Sequence, residues 1–338
     1  MSRSLRVLHL THPLLIPPDD ISGLDKSKIN TLKTDLDVLQ ALRELGHEVR
    51  SEGIEDELRP VRSAVRTFKP HVVFNLVEGF AGLPELDSHV VSYLELMGVP
   101  YTGCNPRGLM LARGKALSKK LLHYHRIRTP SFRVFRKGRS IHRPRGLGLP
   151  LIVKSLVEES SIGISQASLV DSDEKLEERV RFVHESVGTD AIAEEFIEGR
   201  EIYQGLLGNK RLEILPPWEL LFGDLPKGSA TIATEKVKHD ISYQERRGIE
   251  HAHAGGLSEK QSEMIGRTSK RIYRILGLDG YARIDYRLST DGQLYFLEAN
   301  PNPEIARSEE FASAAAMAGT EYPQLVQRIL NLGLARAR

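Results

Sequence analysis

The stretch GYARIDYRLSTDGQLYFLEANPNPEI, residues 280–305, decides the fold of this chain. Within it, residues 281–288 and 294–299 alternate apolar and polar side chains, a pattern that is typical of half-buried strands. Asp291-Gly292 lies between the two runs and is a strong signal for a hairpin with a two-residue turn. A turn of fixed length also fixes the pairing register of the two strands.

The predicted register gathers four polar side chains on one face of the hairpin. Asp285 lies opposite Glu298, and Arg283 lies opposite Asn300. The other face carries apolar side chains: Ile284, Tyr286, Leu288, Tyr295, Leu297 and Ala299. Two carboxylates directly across a strand pair repel each other, so we expect a cation between them. Carboxylate and amide oxygens beside an arginine suit Mg²⁺ bridging phosphates; the alternative is a surface hairpin whose polar face is only solvated.

The composition is that of an ordinary globular protein. The chain has 338 residues, 40% of them hydrophobic and 27% charged, which is enough for two or three domains. A net charge of +2 argues against an extended nucleic-acid-binding surface. No apolar run has the length of a transmembrane helix, and the N-terminus lacks signal-peptide features. Cys104 is the only cysteine, so we expect a cytoplasmic protein. From the net charge and the lack of a long apolar run, we expect that it binds neither nucleic acid nor membrane.

Strand and helix patterns alternate along the first hundred residues and change character near Cys104. The early pattern predicts a parallel sheet and an α/β domain. Later segments predict a basic helical stretch, several antiparallel strands, a long helix before the hairpin, and a final amphipathic helix at 322–334. We therefore expect an α/β protein with α+β elements in three parts: an N-terminal domain (1–104), a central part (105–190) and a C-terminal part with the hairpin (191–338).

Several upstream segments carry chemistry that fits phosphate or nucleotide, though each is weak alone. Lys154 ends an apolar strand and could meet a phosphate oxygen, or could be a surface lysine. Ser160, Ser161 and Gly163 form a short loop whose backbone N–H groups could cradle phosphate, or an ordinary turn. This loop is not a Walker A motif, because no Gly-Lys-Ser/Thr follows it.

The segment AIAEEFIEGREI, residues 191–202, could read a nucleoside. Its backbone edge at 195–197 could face adenine and Glu201 could accept ribose hydroxyls; the alternative is a strand edge with solvated acids. Lys236 and Lys238 could neutralise a transferred phosphate or belong to a basic loop. His-x-His at 251–253 has no third ligand nearby and is more typical of a surface loop than of a metal site.

These segments, in this order, resemble the ATP-grasp fold and, within it, the D-alanine–D-alanine ligase family of carboxylate–amine ligases. The resemblance covers nearly the whole chain, and the blocks EESSIG and ARID…LEAN carry most of it. It implies an N-terminal parallel-sheet α/β domain followed by two ATP-grasp subdomains that clasp the nucleotide. The implied cofactors are ATP and Mg²⁺, with Mn²⁺ as an alternative.

The same resemblance implies a role for individual residues. Catalytic roles fall to Arg283, Ser160 and Lys236, and metal binding falls to Asp285, Glu298 and Asn300. The implied nucleotide contacts are Lys115, Lys154, Ser161, Gly163, Glu194, Phe196, Ile197 and Glu201.

The substrate side departs from the family pattern. Glu78 stands where the family has a histidine. Glu309 and Glu310 stand where a Ser-Leu pair binds the second substrate's carboxylate, and Glu304 replaces a glycine. Acids in that place would repel a carboxylate and favour a cationic or amine-bearing substrate, although Arg307 could still meet a carboxylate. The alternative is that these acids point to solvent.

The resemblance implies an ATP-dependent ligase that joins amino acids or small peptides through an acyl phosphate. The departures from the family pattern predict a product other than D-alanyl-D-alanine. Three alternatives stay open: a housekeeping D-alanine–D-alanine ligase, a ligase that modifies a carrier protein, and a non-catalytic ATP-binding protein. The resemblance also implies pairing through the N-terminal domain into a homodimer.

Overall fold

The computed structural model describes residues 4–157, 163–226 and 230–337. The N-terminal part is a parallel three-stranded sheet with helices, as the alternating pattern predicts. Its elements are β1 (Arg6–Thr11), α1 (Lys26–Glu44), β2 (Glu48–Gly53), α2 (Arg59–Phe68), β3 (Val72–Asn75) and α3 (Asp87–Leu96). The strand order is β2-β1-β3. Asp25 begins α1 because its carboxylate accepts a hydrogen bond from the backbone N–H of Lys28.

The central part is an antiparallel four-stranded sheet that follows two short helices. Its elements are α4 (Pro106–Arg113), α5 (Lys115–Tyr124), β4 (Phe132–Phe135), β5 (Leu151–Ser155), β6 (Leu169–Val170), α6 (Asp173–Phe182) and β7 (Ala191–Glu195). The strand order is β4-β7-β5-β6. β7 pairs with both β4 and β5, so it belongs to the central sheet. The boundary predicted after Asp190 is one strand too early, because the central sheet extends to Glu195.

The C-terminal part is an antiparallel sheet with order β11-β10-β8-β12-β13, and β9 pairs with β8. Its elements are β8 (Gly199–Leu207), β9 (Glu213–Ile214), β10 (Trp218–Leu221), α7 (Glu235–His239), α8 (Ile241–Arg247), β11 (Glu250–His253), α9 (Glu259–Ile275), β12 (Tyr281–Ser289), β13 (Leu294–Pro301), α10 (Glu310–Met317) and α11 (Tyr322–Leu334). In the described residues, no helix has the length and apolar character to cross a membrane.

The two ends of the chain share one hydrophobic core. Val7 and Phe74 of the first sheet pack in the same buried cluster as Ile329 and Leu330 of α11. The final helix therefore ties the hairpin-bearing sheet to the N-terminal part, as the amphipathic pattern at its position suggests.

The β12–β13 hairpin has the predicted register at its polar end but a different turn. Arg283 pairs with Asn300 and Asp285 with Glu298, as predicted. The loop contains three residues, 290–292, because the backbone N–H of Ser289 donates to Gln293. The predicted two-residue turn is therefore wrong.

A bulge in β13 compensates for the extra loop residue. Tyr286 pairs with Phe296 directly after the Asp285–Glu298 pair, so Leu297 has no partner of its own on β12. Leu297 lines the same cavity as Glu298 instead of facing the apolar side, which corrects its predicted direction. Its backbone carbonyl accepts a hydrogen bond from Lys119.

Candidate functional site

A cavity lies between the central and C-terminal sheets. It brings together eight of the residues predicted to hold nucleotide or metal: Lys115, Lys154, Glu194, Phe196, Ile197, Glu201, Asp285 and Glu298. One wall is apolar, with Ile152, Ile164, Phe196, Ile197, Ile232, Ala233 and Leu297. The other lining residues are charged apart from Ser155, so the cavity suits a ligand with an apolar ring system and an ionised tail.

A buried carboxylate joins two lysines at the base of the cavity. Glu194 on β7 is only 1% exposed. It lies 2.8 Å from the ammonium of Lys154 on β5 and 3.2 Å from that of Lys119 on α5. Burial opposes the charge of Glu194, but the two lysines outweigh it and lower its pKa. Burial lowers the pKa of Lys119 to about 8. Glu194 is therefore a structural anchor that positions Lys154.

A second buried ion pair lies on the β8–β12 side. Glu201 accepts hydrogen bonds from the guanidinium of Arg287 at 2.9 Å and from the hydroxyl of Tyr203 at 2.9 Å. Arg287 also donates to the backbone carbonyls of Gly199 and Thr231. These contacts hold the Glu201 carboxylate at the cavity wall, where it can still accept from a ligand hydroxyl.

The two carboxylates of the hairpin differ in their surroundings. Asp285 is 2% exposed, and its oxygens accept hydrogen bonds from Arg283 at 2.8 Å and Asn300 at 2.9 Å. Burial raises the pKa of Asp285 to about 6 in spite of Arg283. Glu298 lies 4.0 Å from the ammonium of Lys115. Burial opposes its charge, but Lys115 and Lys154 outweigh it and lower the pKa of Glu298 to about 2.

The donor set at the hairpin fits a hard divalent cation that also binds phosphate. Asp285, Glu298 and Asn300 offer oxygen ligands of the kind that Mg²⁺ prefers. No group of three or more His, Cys, Asp or Glu side chains gathers as a metal site within the described part of the chain. A cation here would therefore need phosphate oxygens or water to complete its coordination.

The lysine of α7 that reaches the cavity is Lys238. Lys236 does not line it; its ammonium lies 4.8 Å from the centre of the Tyr243 ring. Val237 between them is buried with Tyr203, Leu220 and Ile249. The role that the resemblance gives Lys236 therefore fits Lys238 better.

The predicted phosphate-covering loop is described only in part. Ser160 and Ser161 lie outside the described residues. Gly163 is not among the cavity's lining residues; it has a positive φ of 72°, and its N–H donates to the carboxylate of Glu235 on α7. Because Glu235 in turn donates through its backbone to Ile164, the end of this loop is fastened to the helix that carries Lys238.

The four predicted substrate residues take different positions. Glu310 is buried and forms an ion pair with Arg283 beside the hairpin. Glu309 pairs with Lys33 of α1. Arg307 lies against Asp37 of α1 and 4.4 Å from the ring of Tyr322, which takes it out of the cavity. Glu78 is exposed.

Residues 121–331 match the family model described as D-ala D-ala ligase C-terminus. A protein of Sinorhizobium fredii, described as uncharacterized protein y4sG, is 32% identical over 88% of this chain and 87% of its own length. The chain belongs to the D-alanine–D-alanine ligase-like family of ATP-grasp proteins. It is an ATP-dependent ligase that forms a carbon–nitrogen bond.

Other relatives of this ligase carry a more specific description. The D-alanine–D-alanine ligase of Desulforudis audaxviator is 29% identical over 94% of this chain and 97% of its own length. The crystal structure of D-alanine–D-alanine ligase from Bacillus anthracis complexed with ATP matches with a TM-score of 0.76, 20% identity and 99% coverage of both chains. The last match shows the fold, and the predicted ATP-grasp architecture is confirmed.

Sequence reasoning missed two charged residues of the ligase site, Arg287 and Lys119. Arg287 follows Arg283 and Asp285 at alternate positions of β12, so its direction was open to prediction from strand periodicity. Lys119 lies four residues after Lys115 on α5, on the same helical face. The sequence names both Lys236 and Lys238 as candidates and the resemblance favours Lys236, whereas Lys238 lines the cavity.

Proposed function

We propose that this ligase joins the carboxylate of one amino acid or small peptide to the amine of a second substrate through an acyl phosphate. The pairing of Asp285 with Glu298 across the hairpin, at the cationic end of the cavity, carries the proposal. The donor's carboxylate oxygen attacks the γ-phosphorus of ATP and ADP leaves. The acceptor's nitrogen then attacks the activated carbonyl carbon, phosphate leaves, and the extra proton passes to solvent.

The nucleotide is held by the residues of the cavity. Phe196 and Ile197 provide an apolar wall for the base, and Glu201 accepts hydrogen bonds from the ribose. Lys115, Lys154 and Lys238 neutralise the phosphate charge that builds up during transfer, which is the main way in which proteins assist phosphoryl transfer.

Asp285, Glu298 and Asn300 would hold Mg²⁺, or Mn²⁺ in its place. The bound ion would supply charge neutralisation of the phosphate oxygens. Arg283 lies beside this group and steadies the charge of the transferred phosphoryl. Its ion pairs with Asp285 and Glu310 fix the direction of the guanidinium before substrates arrive.

The donor and acceptor differ from a pair of D-alanines in this proposal. One support is that the buried carboxylate of Glu310 forms an ion pair with Arg283. The other is that Arg307 contacts α1 and α11 instead of facing the cavity. A D-alanine–D-alanine ligase is the second candidate, favoured by the whole-length match to the Desulforudis audaxviator ligase.

The experiment is phosphate release from ATP and Mg²⁺ by the full chain, with D- and L-amino acids and their amides supplied singly and in pairs, and mass spectrometry of the products. Phosphate release that depends on one pair, with the matching amide mass, would support the proposal. Turnover with D-alanine alone would favour the second candidate, and binding of ATP without turnover for any pair would contradict both.

A further inference from the structure

The ion pair between Arg283 and Glu310 is buried next to the proposed metal ligands. Glu310 is 6% exposed and is the first residue of α10. Its carboxylate binds the guanidinium of Arg283, and its own backbone N–H at the helix N-terminus also interacts with it. Burial opposes the charge of Glu310, but Arg283 outweighs it and lowers its pKa to about 2. The carboxylate is therefore ionised throughout the physiological range.

Arginine and a helix N-terminus are the two groups that most readily bind a substrate carboxylate. Both are already taken here by the chain's own carboxylate. Among the residues that the structure describes, two further cations near Glu309 and Glu304 are also paired: Lys33 lies 3.1 Å from Glu304 and contacts Glu309, and Arg307 lies 3.6 Å from Asp37. Lys238 lines the cavity with Asp285 and Glu298, where phosphate is expected.

We propose that Glu310 fills the place of an acceptor carboxylate, so that the acceptor is an amine with no carboxylate beside its reacting nitrogen. This inference rests on the proposed ligase function and names the class of its second substrate. The ammonium form of such an acceptor is drawn to the acids Glu304, Glu309 and Glu310.

An amino-acid acceptor meets the opposite situation. Its carboxylate would approach three acids, of which Glu310 is buried, and would have to displace Glu310 from Arg283 to find a donor. A like charge placed without a partner in such an environment is strongly disfavoured. The buried ring of Tyr203 stacks with the exposed ring of His251 beside Arg283, with ring centres 5.6 Å apart, so His251 offers a flat surface to an acceptor that is partly apolar.

The test separates activation of the donor from use of the acceptor. Hydroxylamine converts an acyl phosphate to a hydroxamate without needing an acceptor subsite, so hydroxamate formation in an amino-acid panel first identifies the donor. Alanine and alaninamide, in both stereochemical forms, are then compared as acceptors at equal concentrations of free base. They differ only in the carboxylate. We expect kcat/KM for alaninamide to exceed that for alanine by about tenfold or more.

Glu310→Gln is the decisive variant, and Glu310→Ser is the second variant should the first fail to fold. Either should lower the preference for alaninamide by about tenfold or more, because Arg283 and the helix N-terminus become available to a carboxylate. Glu213→Gln is the matched control, since Glu213 pairs with Arg328 away from the cavity.

Two results would overturn the inference while leaving the ligase function standing. The first is hydroxamate formation together with a preference of the unmodified chain for alanine over alaninamide as acceptor. The second is a preference for alaninamide that is unchanged in both Glu310 variants. Absence of hydroxamate with every donor would overturn the proposed function itself, and the inference with it.

Discussion

Two lysines on α7, Lys236 and Lys238, lie two residues apart and have different surroundings. Lys238 lines the cavity, whereas Lys236 rests on the ring of Tyr243. Lys238→Ala should lower kcat/KM for ATP by about 10–100-fold, the usual loss for one charge-assisted contact. Lys236→Ala should change it by less than about threefold. Steady-state kinetics of both variants is the measurement, and equal losses would contradict this assignment.

Glu309 predicts a pH-dependent change in stability. Burial, together with Glu304 and Glu310, raises the pKa of Glu309 to about 7, although Lys33 partly offsets them. Because this folded pKa is above the unfolded one, ionisation of Glu309 destabilises the fold above pH 7, and the cost fades as the pH falls towards 4.5.

Glu309→Gln should therefore raise the free energy of unfolding by about 1–3 kcal/mol at pH 8 and by much less at pH 5. Lys33 keeps Glu304 as a partner, 3.1 Å away, in this variant. Urea unfolding at the two pH values is the measurement. A difference between the variant and the unmodified chain that is the same at both would refute the raised pKa.

Residue types at the site were easier to predict than residue directions. Asp285, Glu298, Lys154 and Glu201 all line the cavity as the sequence predicts, because strand alternation sets their direction. Lys238 was undecided because α7 is a five-residue helix whose rotation depends on where Val237 packs. Local sequence does not contain that information.

At the scale of the elements, the hairpin contains two local irregularities in strand pairing that compensate for each other. One extra residue in the turn shifts the register by one, and the bulge at Leu297 shifts it back before Glu298. Alternation over 281–288 and 294–299 is compatible with either turn. The sequence therefore predicted the pairing of Arg283 with Asn300 and of Asp285 with Glu298 correctly, and the turn and the direction of Leu297 incorrectly.

The three-residue turn makes its own prediction at Gly292. Its φ is +79°, and an added Cβ would have no atom within 4 Å, so a substitution is strained only through the backbone. Gly292→Val should lower the free energy of unfolding by about 1–2 kcal/mol, and Gly292→Asn by less than about 1 kcal/mol because Asn tolerates this conformation. Urea unfolding compares the two, and equal losses would contradict the backbone explanation.

At the scale of the whole molecule, the chain folds into three sheets, and the central and C-terminal sheets enclose the site. The order of the parts and the parallel character of the first sheet follow from strand and helix alternation. The membership of β7 in the central sheet does not, because β7 and β8 are joined by only three residues, 196–198, and show no break in composition. The core shared by Val7 and Leu330 also depends on contacts across the full length of the chain.

The central claim is that this cavity activates a carboxylate with ATP through the charges of the hairpin. The measurement is hydroxamate and ADP formation with hydroxylamine across an amino-acid panel, for the unmodified chain, Asp285→Lys and Asp291→Lys. Asp291→Lys is the control because it reverses a charge on the exposed turn of the same hairpin. We expect hydroxamate with at least one amino acid for the unmodified chain and the control, and none for Asp285→Lys. Asp285→Lys that turns over at the rate of the control would contradict the account.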